Sequence, residues 1–485
     1  MKRRKALKHI GLGVTAGLAL PWLNSCTEID TGPEIKYDGI VGIIGAGAAG
    51  LFAADYLIAK GIKVKIFEAS GRIGGRVRSV KISDPIFSNL IADFPVELGA
   101  DRALGSDSEF GKLIKLLKVP TVDFRGGDTN AIDKCILDNQ YKTLSEVQSD
   151  SDISALNNFK NNVLPGYMGG ESIESAAGLN TRVNRILNSW LGNAYGSSSN
   201  RVSARALGEA LSLIEHDGKE LTLNINPMSD VILSRFNKAA VKVQLNKAVE
   251  AINYSGELIS LSVKDTVSQE VTSEEVSKLI VTVPVSILKA GDIEFTPALP
   301  GTKISAMSNI GMDASIRMIL EFTRNDIFGS DTAFILGSAE APSVFLTGVG
   351  RSGVNGNRTF SFTINGSKAE ELSAKSDLEK VQQVLAELDA VSPSLFATRD
   401  VRKTETDDII FIVKDWTTEP YIKGGQSYPL VGGTNDDRVA LATSVDEKLY
   451  FAGEATDVTG EFGTVSGALK SGKRAAEELI ASIVA

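Results

Sequence analysis

The 485-residue chain has only two cysteines and two histidines. Cys26 and Cys135 are too few for a disulfide framework. His9 belongs to an N-terminal leader, so the folded body keeps one histidine and one cysteine. That is no material for a His/Cys metal cluster, and no metal site is expected. A Ser-His-Asp site could use only His216, which reads as a surface residue. Acidic residues outnumber basic ones, 60 to 51. The formal net charge is -9, and five of the cations, Lys2, Arg3, Arg4, Lys5 and Lys8, fall in the first eight residues. No basic stripe remains elsewhere, which argues against a nucleic-acid partner. The acidity reads as solubility, with a weak pull on cationic substrates as the sharper alternative. No internal repeat is present.

What remains is an ordinary globular chain, 43% hydrophobic and 23% charged. It is long enough for two to four domain-sized units and a large core.

Residues 1–26 read as a signal peptide. Lys2-Arg3-Arg4-Lys5-Ala6-Leu7-Lys8 is a charged opening, and Ile10 to Leu20 is a weakly apolar stretch too short to span a bilayer. Arg3-Arg4 followed by Leu7-Lys8 resembles a twin-arginine signal, a route that carries folded proteins. Leu23-Asn24-Ser25-Cys26 resembles a lipobox, in which Cys26 would be lipidated and become the new N-terminus. The alternative is a plain cleaved signal with an incidental cysteine. Residues 27–36 are polar and read as a tether. The expected location is the periplasm or cell envelope, with membrane contact through the N-terminal lipid only.

Ile40 to Ile44 is a β-branched apolar run, expected to be a buried parallel strand. Ala48 to Lys60 has helical periodicity and stops at Gly61, and Lys63 to Phe67 is a second strand. This βαβ opening predicts an α/β, Rossmann-like dinucleotide domain. After about residue 100 the chain is more polar, with helical patches and a loop at Gly196-Ser197-Ser198-Ser199-Asn200 expected to be mobile. Strand patterns return over Val241–Val263, Val281–Val285, Ile316–Phe322 and Phe360–Ile364. Leu449–Phe451 is a last strand, followed by a helix from about Val465 to Ile480. The expected division is a discontinuous cofactor domain (37–100, 225–292 and 430–485) with an inserted α+β substrate domain containing a mixed sheet (101–224 and 293–429).

Gly45-Ala46-Gly47-Ala48-Ala49-Gly50 lies at the strand-to-helix turn. Gly45 permits the turn, Gly47 lets backbone approach a diphosphate, and Gly50 lets helix and strand pack closely. The helix start, including Ala48 and Ala49, offers free amides to phosphate. Glu68, 23 residues after Gly45, ends the next strand where an acid binds adenosine ribose hydroxyls. The segment from Glu68 and Ala69 through Gly74, Gly75 and Arg76 is glycine-rich and doubly cationic, which selects FAD over NAD.

With these pieces in place the sequence resembles the flavin-dependent amine oxidase family, which includes monoamine, polyamine and L-amino-acid oxidases and lysine-specific demethylases. The matching segments are GAGAAGL (45–51), EASGRIGGRV (68–77), ELGAD (97–101), NKAVEAI (246–252) and VTVP (281–284). DWTTEPYIKGGQSY (415–428) and FAGEATD with GTVSGALKSGKRAA (451–457 and 463–476) complete the set. The resemblance implies that Glu68 binds the ribose and Arg76 lies by the phosphates. It implies that Gly99, Ala100, Asp101 and Arg102 line the flavin ring edge, and that Val249 meets adenine through its backbone. Gly453 and Glu454 would sit by the diphosphate and ribityl chain, and Trp416 beside the isoalloxazine. Thr464 and Val465 would aim a helix N-terminus at the ring's pyrimidine edge, where a helix dipole stabilises negative charge.

Four departures stand out. Gly425 occupies a position where some members attach FAD through cysteine, so FAD is expected to be non-covalent. Arg317 stands where members usually have lysine. It keeps the charge but is a poor base, and would order a water or else face solvent. Gln426 and Thr464 occupy the places of two caging aromatic rings, with Tyr428 nearby. Arg102 replaces a common tryptophan and would meet an acidic substrate group or form a salt bridge. Arg317 and Trp416 are the candidate catalytic residues; Arg102, Gln426, Tyr428 and Thr464 are the candidate substrate contacts.

The resemblance implies hydride transfer from an amine C–H to flavin N5, hydrolysis of the resulting imine, and reoxidation by oxygen to hydrogen peroxide. Two alternatives stay open: a desaturase or protoporphyrinogen-oxidase-type enzyme on an apolar substrate, and a non-catalytic surface flavoprotein. The leader makes the first prediction. Cys26→Ala should move the protein from the membrane to the soluble fraction on cell fractionation; unchanged membrane retention would rule out the lipid anchor.

Overall fold

A computed structural model describes residues 33–124, 132–324, 327–329, 332–351, 358–391 and 396–484. Cys26, Arg3 and Arg4, the signal segment, and the tether up to residue 32 lie outside the described residues.

The apolar run Ile40–Ile44 forms the central strand of a five-stranded sheet. The order is Val243–Gln244, Lys63–Phe67, Ile40–Ile44, Lys278–Val281, Leu449–Phe451, and every pairing is parallel. The register aligns Ile44 with Phe67 on one side and Val281 on the other, so the strands end together at the glycine loop. A parallel sheet needs both faces covered, which is why its strands read as continuous apolar runs. Helices Ala48–Ala59 and Val465–Val484 cover one face. Leu51, Leu57, Leu469 and Leu479 are fully buried there, each contributing ~1.5–3 kcal/mol by removal from water. The two helices approach closely because small residues meet: a Cβ on Gly472 would come within 2.2 Å of the Ala49 carbonyl. The other face is covered by an antiparallel layer, Lys247–Asn253, Ile259–Asp265 and Val271–Val276.

The expected strand at Val281–Val285 is corrected. The strand is Lys278–Val281, and Val285 opens the helix Val285–Ala290. Pro284 is the reason: it lacks the N–H a central strand must donate and is well placed at a helix start.

A second, seven-stranded sheet is mixed. Its order is Phe411–Asp415, Ser315–Glu321, Thr359–Asn365, Ser343–Leu346, Thr332–Leu336, Ile132–Leu137, Gln140–Thr143. Only Thr332–Leu336 and Ile132–Leu137 pair in parallel. Helix Asp377–Val391 and short helices between residues 151 and 212 pack around it. The loop expected to be mobile is instead held. Ser197 and Ser199 are buried, the Ser199 amide donates to Asn188 Oδ1 at 2.8 Å, and Arg201 pairs with Asp313 at 3.0 Å. Composition read it as a loop; partners distant in sequence made it rigid. Cys135 is buried and free of any disulfide. His216 lies partly exposed at the surface, and its Nδ1 accepts from the Gly218 amide at 3.0 Å. Among the described residues no helix is long and apolar enough to cross a membrane.

Glu321 joins the two parts. Its fully buried carboxylate accepts from Arg402 Nη1 at 2.7 Å, from the Ile91 and Ala92 amides at 2.8 and 2.9 Å, and from Thr359 Oγ1 at 3.0 Å. Glu321→Ala should cost ~3–5 kcal/mol, because a half-buried cation and two amides lose their acceptor. The urea-unfolding midpoint measures this, and a midpoint within error of wild type would refute it.

Candidate active site

The strand-to-helix loop is built as its glycines require. Gly45 sits at φ +101 and donates to the Phe67 carbonyl at 2.8 Å. A Cβ on Gly50 would lie 2.0 Å from the Gly45 carbonyl, which closes that position to any side chain. A Cβ on Gly47 would meet nothing within 4 Å, so Gly47 borders open space. Gly47 is also the helix N-cap, and no side chain caps it. The amides of Ala48 and Ala49 therefore have no intrahelical acceptor, and both residues line the cavity. This is an uncapped helix start facing a void, the arrangement that binds phosphate.

Glu68 has a second task beside the one expected. Its Oε2 accepts from the Ala46 amide at 2.8 Å, and its Oε1 accepts from the Ser70 amide and hydroxyl at 2.9 and 2.6 Å. It thereby fixes the glycine loop, and Oε2 keeps a lone pair for a hydroxyl. Gly74 pairs with Gly47 and donates to the Ala46 carbonyl at 2.9 Å, bringing the Glu68–Arg76 turn over the loop. Val249 lies where the Lys247–Asn253 ladder shifts register, and this bulge turns Val249 and Glu250 toward the cavity.

These residues line one end of a continuous cavity of about 1560 Å³. Ala69, Gly75, Arg76, Gly99, Ala100, Asp101, Arg102, Gly453, Glu454, Thr464, Val465, Trp416, Arg317 and Gln426 line it further along. Three stretches converge on Glu454, which is 5% exposed. Arg76 Nη1 donates to Glu454 Oε1 at 2.7 Å and to the Gly425 carbonyl at 2.7 Å. The Ser427 amide and hydroxyl and the Gly463 amide donate to the same carboxylate. Burial alone would raise the Glu454 pKa; the charges of Arg76 and Arg438 overcome it and hold the carboxyl below its usual range.

Thr464 starts the closing helix, and its hydroxyl is spent there. It donates to the Glu461 carbonyl at 2.7 Å and accepts from the Gly467 amide at 3.0 Å. As a substrate contact it therefore offers its methyl group, not its hydroxyl. The amides of Val465 and Ser466 stand ahead of the first helical bond, at a second helix N-terminus on the same cavity.

Arg317 does not face solvent, nor is it a free charge. Nη1 lies 2.6 Å from Asp101 Oδ2 and donates to Ser361 Oγ at 2.8 Å, while Nη2 donates to the Gly99 carbonyl at 2.9 Å. Arg102 takes the salt-bridge alternative. Nε lies 3.1 Å from Asp101 and Nη1 3.2 Å from Glu220, with the guanidinium 4.8 Å from the Phe334 ring centroid. Burial would raise the Asp101 pKa, but Arg102 and Arg317 together hold it low. Trp416 is 3% exposed and donates from Nε1 to the Leu98 carbonyl at 2.8 Å. Gly99 must be glycine because a Cβ would sit 1.8 Å from the Arg76 carbonyl.

Tyr428 is corrected as a substrate contact. It is 1% exposed, does not line the cavity, and its ring packs over Gly311 on the neighbouring strand. The alternation of a strand explains this: Ser427 turns to Glu454, so Tyr428 turns the other way. Gln426 does line the cavity, packed over Gly196 and Gly463 with Nε2 donating to the Ala194 carbonyl at 2.8 Å.

The two expected ring positions hold Gln426 and Thr464, yet the cavity is not short of aromatics. Trp190, Tyr195, Phe334 and Phe462 line it, with Leu191 and Leu336. Tyr195 and Phe462 have ring centroids 6.3 Å apart. Burial, with Glu220 nearby, pushes the Tyr195 phenol up to about 12, so it stays protonated at neutral pH. Sequence reasoning missed these residues. Phe462 carried a signal, since it directly precedes the GTVSG segment; Trp190 and Tyr195 lie in short helices without one. Among the described residues no group of three or more His, Cys, Asp or Glu side chains could hold a metal.

A family model described as flavin containing amine oxidoreductase matches residues 48–480. Lysine-specific histone demethylase 2 of Homo sapiens is 27% identical over 480 residues, covering 93% of this chain and 54% of that protein. Polyamine oxidase 4 of Oryza sativa subsp. japonica is 28% identical over 236 residues, covering 49% of this chain and 45% of that one. The chain thus spans about half the length of the curated relatives it matches. Cyclohexylamine oxidase from Brevibacterium oxydans IH-35A has the same fold, with a TM-score of 0.73 at 19% identity over 93% of this chain and 100% of that one.

The Asp101–Arg317 pair gives a pH prediction. Wild-type Asp101, held low, contributes stability above the unfolded carboxylate pKa of ~3.9 and loses it as pH falls through its folded value. Arg317→Met raises that folded value. The thermal-midpoint deficit of the variant should be full at pH 7 and shrink as the pH is taken below ~4, toward the lowered folded value of wild-type Asp101; a deficit that does not change over that range would show that the ion pair is not its cause.

Proposed function

The chain belongs to the flavin-containing amine oxidoreductases, and on that premise we propose that it is an FAD-dependent amine oxidase with oxygen as electron acceptor. The observation that carries this reading is the single cavity of about 1560 Å³ running from the uncapped helix start at Gly47 to an aromatic chamber. Its first part suits an extended dinucleotide. Gly47, Ala48 and Ala49 would hold the diphosphate, Glu68 the ribose, Val249 the adenine, and Gly99, Trp416, Thr464 and Val465 the ring. FAD, when bound, supplies the oxidising power by accepting hydride from the substrate's α-carbon.

The chain's own residues orient and desolvate. Trp190, Tyr195, Phe334 and Phe462 form an apolar wall that packs the amine's carbon skeleton and excludes water. Arg317 holds position: its guanidinium is locked by Asp101, Gly99 and Ser361. The Val465 end of the closing helix favours negative charge at the ring's near edge. The amine leaves as an imine, which water hydrolyses to a carbonyl compound and an amine, with hydrogen peroxide as the second product. The names of relatives, a polyamine oxidase and a cyclohexylamine oxidase, agree with an amine substrate.

FAD is held without a covalent bond in this reading. Gly425 has no side chain to link, and a Cβ there would lie 2.5 Å from Ser315 Cβ. The leader read from Lys2 to Cys26 supports the further proposal that the protein is exported to the cell envelope with its cofactor loaded.

Anaerobic mixing with a panel of amines, amino acids and polyamines tests the reaction. Flavin absorbance should bleach with at least one amine, and peroxide should appear in air. Bleaching only by apolar polycyclic or isoprenoid compounds would sink the amine reading. Acid precipitation should release the flavin to the supernatant; flavin in the pellet would sink non-covalent binding.

A further inference from the structure

Phe462 lines the aromatic chamber, and its backbone is fixed on both sides. The Glu461 amide donates to Asp457 Oδ1 at 2.8 Å, and the Gly463 amide donates to Glu454 Oε2 at 2.7 Å. What the backbone leaves open is the tilt of the ring. Tyr195 meets the ring from one direction, with centroids 6.3 Å apart and planes at 50°. The guanidinium of Arg438 covers it from another, 3.9 Å from the ring centroid.

Arg438 lies on helix Asn435–Ala442, is 2% exposed and does not itself line the cavity. Nη1 donates to Ser427 Oγ at 2.9 Å and to the Ala455 carbonyl at 3.0 Å, and Ser427 Oγ donates in turn to Glu454 Oε2 at 2.6 Å. Nη2 is buried and has no hydrogen-bond partner. Burial brings the Arg438 pKa down to about 10 against the pull of Glu454, Asp457 and Asp437, which leaves it charged at neutral pH.

This is a costly place for a cation. A buried guanidinium nitrogen without an acceptor carries a desolvation penalty, and an apolar side chain of similar length would fill the space without one. Stability alone therefore does not account for an arginine here. The ring does: a planar cation can stack on an aromatic face and fix its tilt, which an ammonium or an aliphatic chain does less well, and burial strengthens the attraction. Through Ser427 the same guanidinium is tied to Glu454, so the chamber wall is referenced to the carboxylate that braces the rest of the cavity.

We propose that Arg438 is a positioning residue for substrate selection: by clamping the Phe462 ring it sets the width of the aromatic chamber, and with it the discrimination between ring-bearing and slender amines. The assignment rests on the amine-oxidase reading of this cavity.

The test uses the full-length protein loaded with FAD, as wild type, Arg438→Lys, Phe462→Leu and the double variant. Rates per bound flavin are measured with the best substrate of the amine panel and with benzylamine, cyclohexylamine and butylamine. Each amine gives a KM, or an inhibition constant where it is not oxidised, and circular dichroism reports the fold. Arg438→Lys should raise this constant for the two ring amines ~10-fold more than for butylamine, the scale on which a pocket wall discriminates shape. Phe462→Leu should shift the same ratio, and adding Arg438→Lys to it should shift the ratio no further, because residues that act through one contact are not additive. An equal loss toward all amines overturns the assignment, and so does an undiminished effect of Arg438→Lys on the Phe462→Leu background. An Arg438→Lys variant that loses its flavin or its dichroism spectrum overturns it too, by showing a role in the fold alone. Wild-type protein that oxidises no amine would remove the amine-oxidase reading and this assignment together; oxidation by wild type with selectivity unchanged in Arg438→Lys removes the assignment alone.

Discussion

The buried ion pair between Arg76 and Glu454 is the interaction on which the site depends. It joins the glycine-rich turn after Glu68, the Gly425–Ser427 stretch and the Gly463 approach to the closing helix. The first of these stretches is more than 300 residues from the other two in sequence, and all three contribute residues to the cavity lining. A carboxylate this deeply buried is stable only with its charge matched and its lone pairs used, and Glu454 accepts four hydrogen bonds. Loss of Arg76 would leave that charge dependent on Arg438, at a cost of ~3–5 kcal/mol. The glycine-loop end of the cavity and the end lined by Gln426 and Thr464 therefore keep their spacing because one carboxylate holds both.

A second set of charges organises the ring end. Arg317 and Arg102 grip the two oxygens of Asp101, and Arg102 reaches on to Glu220. Two guanidinium groups and two carboxylates compensate each other, so no strong base or uncompensated cation faces the aromatic chamber from this cluster. The chamber has to act through shape and dryness, which suits chemistry carried by a cofactor. Its walls come from short helices near residues 190–195 and from the strand at Thr332–Leu336, supported by the mixed sheet behind them.

Much of the cofactor half was legible in the chain. Gly45, Gly47 and Gly50 each answer a local backbone demand, and those demands are met within one turn of their own sequence. The strands Ile40–Ile44 and Lys63–Phe67 and the helix between them follow from apolar periodicity alone. Val281–Val285 is valine-rich, but Pro284 governs where the strand can pair. The serine-rich Gly196–Asn200 loop reads as mobile only if Asn188, Asp313 and Glu174 are ignored. Tyr428 stands two residues from Gln426, yet the parity of the strand sends it into the core.

By itself, then, the sequence determined a βαβ unit with an uncapped, glycine-lined helix start, and with it a binding place for a dinucleotide. These features need only local backbone geometry and hydrophobic periodicity, which neighbouring residues specify. Tertiary structure alone decided which charges are paired. Arg76, Arg102 and Arg317 each meet a carboxylate brought from elsewhere in the fold, Glu454, Glu220 and Asp101. It also decided that Trp190, Tyr195 and Phe462 share one chamber. The physical reason is the same for both: Coulomb attraction and aromatic packing act over a few ångströms, and folding, not spacing along the chain, sets those distances.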